Sequence, residues 1–206
     1  FTFDVLMHRI TRAVERRSVF LPTYKLIDQG NPREAIRACI AAESAHPRYA
    51  ADFVRLRAEL HVSLGEHPEA EHLYTAMLGV KQVGWASLGL ARTLFAQGRV
   101  DEAEAVLTQL VSVNPKLMAA YDLLAKCHEA NGSSARAQQV LEEAVSISPH
   151  MVRRLRHLGE VALDAGDVSA AEKSFKQVVS KAKYSEFRDP EDHVNLVRTL
   201  VTKGDA

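Results

Sequence analysis

The feature that most constrains this chain is a glycine that returns at a nearly fixed interval. Gly30, Gly65, Gly98, Gly132, Gly166 and Gly204 are separated by steps of 35, 33, 34, 34 and 38 residues. Five residues after each of the first five glycines stands an alanine: Ala35, Ala70, Ala103, Ala137 and Ala171. Four residues further comes a larger core candidate: Cys39, Tyr74, Leu107, Leu141 and Phe175. Pro47, Pro115 and Pro149 each fall seventeen residues after their glycine. A chain written this way need not close around one core, because each repeat buries its apolar face by stacking on its neighbours.

Each position in the pattern has a physical reason. The glycine ends one helix where the chain must turn left-handed, which costs glycine nothing. The polar strings NPRE, EHPE, RVDE, SSAR and DVSA that follow are expected to supply caps and first-turn residues for a second helix. The alanine marks the closest approach of two antiparallel helices, and the larger residue four positions on shares its face. Proline then stops the second helix and turns the chain. The stretches WASLGLARTLFAQG, YDLLAKCHEANG and LRHLGEVALDAG place apolar residues three and four apart and are first helices. The unit is helix, tight turn, helix, proline turn.

These residues resemble the tetratricopeptide repeat (TPR) family over residues 19–206. The resemblance implies an all-α fold of helix-turn-helix repeats stacked into a right-handed superhelix, with units at approximately 19–50, 51–84, 85–117, 118–151 and 152–189 and a partial unit at 190–206. Departures from the family pattern are Arg57 where a core Leu is usual, Trp85 two residues early, and Pro22, which is expected to cut the first helix of the first unit short. The resemblance also implies that first helices line a concave groove. The groove candidates are then Arg55, Trp85, Leu88, Arg92, Phe95, Asp122, Lys126 and Arg156, joined by Asp52, Glu59, Arg153 and Glu160. Trp85, Leu88, Arg92 and Phe95 would form an apolar patch with one cation, suited to an extended peptide or a partner helix. The other reading of Trp85 and Phe95 is that they fill gaps between units. The family's carboxylate-clamping subtype is not expected, because its positions hold Arg55 and Glu59, Leu88 and Arg92, and Asp122 and Lys126 here.

Other function classes find little support. A net charge of zero argues against bulk nucleic-acid binding, and no apolar run is long enough to span a membrane. Cys39 and Cys127 are far apart and read as reduced, buried residues of a cytoplasmic protein. Of nine histidines, His61, His67 and His72 are the closest group, at offsets that do not share one helix face, so no metal or other cofactor is expected. His128 reads as a satisfied core histidine. The basic run MVRRLRHLG reads as a solvated helix face. There is no phosphate loop, nucleophile elbow or zinc-protease motif, so no enzymatic activity is expected.

The opening FTFDVLMHRITRAVERR is out of phase with the repeats. Phe3, Val5, Leu6, Ile10 and Val14 are read as one apolar face, with Thr2 or Asp4 as cap. Phe1, Leu6, Arg9, Ile10, Arg12 and Ala13 resemble the last helix of bacterial receiver domains, in which a Lys-Pro-Phe turn precedes L-x-x-R-I-x-R-A. That resemblance implies that residues 1–18 end a receiver-like domain and that its phospho-accepting Asp lies upstream of Phe1. The chain would then be the output module of a response regulator in a two-component phosphorelay, binding a protein or peptide partner. The alternative is a TPR scaffold or assembly co-factor outside two-component signalling. Either way, the uncovered N-terminal helix offers a route to a dimer.

Overall fold

The structure is a computed structural model and describes residues 2–183 and 185–204. Among the described residues it holds eleven α-helices, one short 3-10 turn and no strand. They are α1 (Phe3–Asp28), α2 (Pro32–Ala45), the turn Pro47–Tyr49, α3 (Ala50–Ser63), α4 (His67–Val80), α5 (Gly84–Ala96), α6 (Val100–Val113), α7 (Met118–Ala130), α8 (Ser134–Ile147), α9 (Val152–Asp164), α10 (Val168–Ala182) and α11 (Glu191–Lys203). The chain falls into two compact units, Phe1–Thr93 and Leu94–Ala206. In the first, α1 packs on α2, α2 on α3 and α3 on α4. In the second, each helix from α6 to α11 packs on the next.

The glycine ladder is a ladder of turns. Gly30, Gly65, Gly98, Gly132 and Gly166 have φ between 66° and 79°. At the first, Gly30 N–H donates to the Ile27 carbonyl and Asn31 N–H to the Leu26 carbonyl, both at 2.9 Å. This pair of bonds satisfies the last carbonyls of a helix and needs a left-handed residue between them. The same pair recurs at Gly65, Gly98, Gly132 and Gly166. The polar strings do less capping than expected. Asp167 accepts from Ala170 N–H at 2.9 Å, but Asn31, Glu66, Arg99 and Ser133 make no side-chain cap bond. The turn already aims the chain into the second helix, so the cap residue is free to vary.

The alanines are all fully buried, as are Cys39, Leu107, Leu141 and Phe175 four residues on. The close approach is tightest at two glycines. A methyl group on Gly159 would meet the Phe175 ring at 2.8 Å, and one on Gly89 would overlap the Tyr74 ring. Phe175 and Tyr74 therefore press on bare helix backbone, and no side chain fits between without moving a buried ring.

Pro22 does not shorten the first helix. α1 runs unbroken for 26 residues with Pro22 inside it. Proline removes one backbone donor, and the Pro22 ring faces solvent; the burial of Phe20 and Thr23 on either side holds the helix through it. Phe20 stacks on Phe53 at 4.1 Å between ring centres and meets Tyr49 edge-on at 6.1 Å. These rings join Ala35, Ile36, Cys39 and Leu60 in the core of the first repeat. Residues 2–18 of the same helix are exposed along their length. Thr2 sits at the N-cap without a side-chain bond, and Asp4 adds a carboxylate to the first turn.

Candidate functional site

In Phe1–Thr93 the predicted groove residues gather around Trp85. Tyr74, buried on α4, meets the Trp85 ring edge-on at 6.4 Å. From α3, the Arg55 guanidinium lies 5.6 Å above the Trp85 ring, while its Nε donates to Glu59 Oε1 at 2.8 Å. A cation over an indole face is attracted by the ring quadrupole, and the carboxylate fixes its position. Burial, then Glu59, pushes the Tyr74 hydroxyl up to about 12, while Arg55 and Arg92 pull the other way. Tyr74 is thus a neutral donor, and the charges over it come from the two arginines and Glu59. Trp85 itself is half-buried, packed against the core formed by Ala58, Ala70, Tyr74 and Ala86. It fills a gap in the packing and keeps part of its surface in solvent. Leu88 is buried and belongs to the interior rather than to a surface patch; Arg92 is exposed, and Phe95, in the last turn of α5, is half-buried.

In Leu94–Ala206 the groove candidates Asp122 and Arg156 are each tied to a residue of a neighbouring repeat. Asp122 accepts two bonds from Arg154, at 2.7 and 2.9 Å, and Arg154 is 4% exposed. Arg156 donates to both oxygens of Asp192, at 2.5 and 2.8 Å, and to the Phe187 carbonyl at 3.1 Å. Asp192 is 1% exposed. The Asp192 partnership raises the Arg156 pKa further, against the opposing effect of burial. His157 bonds Glu129 at 2.7 Å, and Arg153 lies over the Phe187 ring at 5.3 Å. The run MVRRLRHLG is therefore not a solvated face: two of its arginines are structural clamps between successive repeats. Arg154 is not among the groove candidates read from the sequence, yet it is the most buried arginine of the run. Its sequence signal is an Asp one repeat earlier. Lys126 and Glu160 are exposed.

One groove lies between the successive second helices α2 and α4, and another between α8 and α10. The α2–α4 groove, about 560 Å³, is lined by Ile36, Ile40, Arg57, His61 and His72 among others. The α8–α10 groove, about 410 Å³, has Leu158 at the repeat position of Arg57. Arg57 is half-buried and paired with Glu43 at 3.4 Å, and burial raises Glu43. His61 bonds Glu66 at 2.7 Å, so it is a partner to a carboxylate. His128 is buried as expected but not satisfied at Nδ1, which stays 3.5 Å from Glu104. Among the described residues no three His, Cys, Asp or Glu side chains converge as metal ligands. Cys39 and Cys127 are free and buried, and burial pushes each thiol up to about 11. No helix among the described residues is long and apolar enough to cross a membrane.

The opening helix shows its apolar residues to solvent. Phe3 is 74% exposed and Val14 63%, with Leu6, Met7 and Ile10 near half. Met7 shares the side of Phe3, Ile10 and Val14, whereas Val5 falls on the opposite side at 100° per residue. Phe1 lies outside the described residues. Leu6, Arg9, Ile10, Arg12 and Ala13 occupy one continuous exposed stretch.

The model of the tetratricopeptide repeat family matches residues 25–81 and 88–152, more than half of the chain. No curated protein matches the sequence. Among solved structures, MamA from Desulfovibrio magneticus, residue 41 to its end, superposes with a TM-score of 0.69 at 19% identity, covering 82% of this chain and 96% of that one. PilW, described as a widely conserved type IV pilus biogenesis factor, gives 0.70 at 16% identity over 92% and 86% of the two chains. PilF from Pseudomonas aeruginosa gives 0.72 at 14% identity over 95% and 87%. At these identities the likeness is one of fold. With the family model covering both units and the glycine turns repeating five times, the chain belongs to the tetratricopeptide repeat family.

Proposed function

We propose that this chain is a protein–protein interaction module whose recognition surface is the first-helix face of α3 and α5, centred on Arg55, Trp85 and Arg92. The observation that carries the reading is the state of the charges. Arg92 is exposed and Arg55 sits half-exposed on Trp85, whereas Arg154 is buried and Arg156 is half-buried, each gripping a carboxylate of a neighbouring repeat. A partner would lay an apolar side chain on Trp85 and a carboxylate or carbonyl near Arg92. Trp85 is the single tryptophan, so its emission reports this surface directly. Peptides selected from a random library on the wild-type chain should shift Trp85 emission. They should lose affinity with Arg92→Ala and keep it with Lys126→Ala. Selected peptides that leave the emission unchanged and bind Trp85→Ala as well as wild type would refute the surface.

A second reading concerns the role in the cell. Residues 2–18 stand exposed, carry the receiver-helix residues Leu6, Arg9, Ile10, Arg12 and Ala13, and continue without a break into the first repeat. On this reading the module is the output side of a response-regulator-like protein, and the continuous α1 carries a change upstream into the array. Hydrogen exchange across residues 19–60 in the full-length protein should respond to a phosphoryl mimic; an identical pattern counts against the reading. The alternative, a scaffold or assembly co-factor outside two-component signalling, draws its support from the likeness in fold to PilW.

A further inference from the structure

The exposed residues of α1 follow a rule that the repeats do not. Phe3, Met7, Ile10, Val14, Arg17, Leu21 and Tyr24 are spaced alternately four and three residues apart. This is the a/d seam of a two-stranded coiled coil, in which side chains of one helix enter holes on another. Six of the seven are apolar, and these six are between 41% and 74% exposed. The side of α1 that grips its own unit is a different one: Phe20 and Thr23 are buried there, Arg16 reaches Asp52 at 3.2 Å and Glu15 reaches Arg48 at 3.4 Å. At 100° per residue the two sides are roughly opposite. The helix is thus anchored by one side and presents a complete seam on the other.

We infer that this seam is an interface with a second copy of the chain, running antiparallel. The spacing specifies a helix as the occupant. The seam also extends past residue 18 to Leu21, which the antiparallel pair covers with Phe3 and a domain resting on residues 2–18 alone would leave uncovered. Charge chooses the partner and the direction. In a parallel pair Arg17 would face Arg17 inside the seam, two like charges in a dry layer. Its flanking positions would pair Leu6 with Thr11 and Ala13 with Ser18, with no ion pair. In the antiparallel pair centred on Ile10 and Val14, Phe3 packs on Leu21 of the second copy and Arg17 lies along Met7, its head free to reach water. Asp4 then flanks Lys25 of the second copy, twice by symmetry, opposite charges at the edge of the seam. The arrangement is closed and two-fold, so each seam is used once and no further copies can add through it. This inference is independent of the α3–α5 surface, and it competes with the receiver-domain reading for the same residues of α1.

Sedimentation of the 206-residue chain over a range of concentrations tests it. The mass should double as concentration rises. Ile10→Glu with Val14→Glu should hold the chain monomeric while leaving the melting temperature unchanged, because neither residue packs on the repeats. Direction is read by oxidation, with Cys39 and Cys127 buried and out of reach. Phe3→Cys with Leu21→Cys, which face each other across the pair, should give a disulfide-linked dimer; within one helix those positions are about 27 Å apart and cannot join. Arg17→Cys should not cross-link. A chain that stays monomeric at every concentration, a dimer that survives the double Glu variant, or a ready Arg17→Cys cross-link would each overturn the proposal.

Discussion

Arg55 on α3 rests on the face of Trp85, and Arg92 on α5 stands in solvent. Arg154 on α9 is buried against both oxygens of Asp122, and Arg156 closes on an Asp192 that water does not reach. All four are first-helix cations in the same repeat architecture. The difference lies in whether a carboxylate of a neighbouring repeat meets them. A guanidinium fork that grips a carboxylate of a neighbouring repeat holds two helices in register, and that pairing withdraws it from a partner. A guanidinium over an aromatic ring in solvent contributes little to stability and keeps its donors. Arg55 and Arg92 therefore stay open to solvent while Arg154 and Arg156 are tied to carboxylates, and each unit also holds one cation of the other kind: Arg57 pairs with Glu43, and Arg153 lies exposed over Phe187.

The contrast can be broken in several places. The largest effect should come from Arg156→Ala, which strands a buried Asp192: about 3 kcal/mol of stability is expected to go, by denaturant titration. A loss that small surface substitutions also show would mean that Arg156 is a groove residue after all. Next is the close packing behind each face. Gly159→Ala drives a methyl into the buried Phe175 ring and should cost about 1–3 kcal/mol, less what alanine returns in helix propensity. Adding Phe175→Leu should recover part of it; no recovery would place the strain elsewhere.

A smaller, pH-dependent effect belongs to the last helix. Glu172 on α10 is held by Lys176 and by Lys203 at the end of α11, and these partners lower its pKa from 4.5 to about 2. A lowered folded-state value means that the stabilisation is present above 4.5 and is lost as pH falls toward 2. Amide exchange in α11 should accelerate across that window, and Glu172→Gln should flatten the response. An unaltered pH dependence in the Gln variant would remove Glu172 from the account.

Much of the fold was legible because its signals are local. Each glycine, the alanine five residues on and the larger residue after that belong to one turn and one helix pair, and the chemistry of a left-handed turn or a close approach admits few residue types. What was not legible is pairwise and lies about one repeat away. Arg154 finds Asp122 32 residues back, and Arg156 finds Asp192 36 residues on. Nothing in the run MVRRLRHLG distinguishes a clamp from a solvated face until the neighbouring helices are placed. The continuity of α1 was hidden for the opposite reason. Pro22 is a strong local signal for a break, and it is overridden by the burial of Phe20 and Thr23, which pack on a different helix pair. Leu88 shared the spacing of Trp85 and Arg92, but its burial depends on packing that spacing alone does not show.

Exposed Arg92 and the Arg154–Asp122 clamp do different work, and the smallest expected effect is the most telling. Arg92→Ala and Asp122→Ala, unfolded side by side in denaturant, test it without knowledge of the partner. Arg92→Ala should fall within about 0.5 kcal/mol of wild type, as exposed substitutions do. Asp122→Ala should lose about 2 kcal/mol, because the buried Arg154 is left without its carboxylate. Equal losses, or a larger loss for Arg92→Ala, would contradict that division of roles.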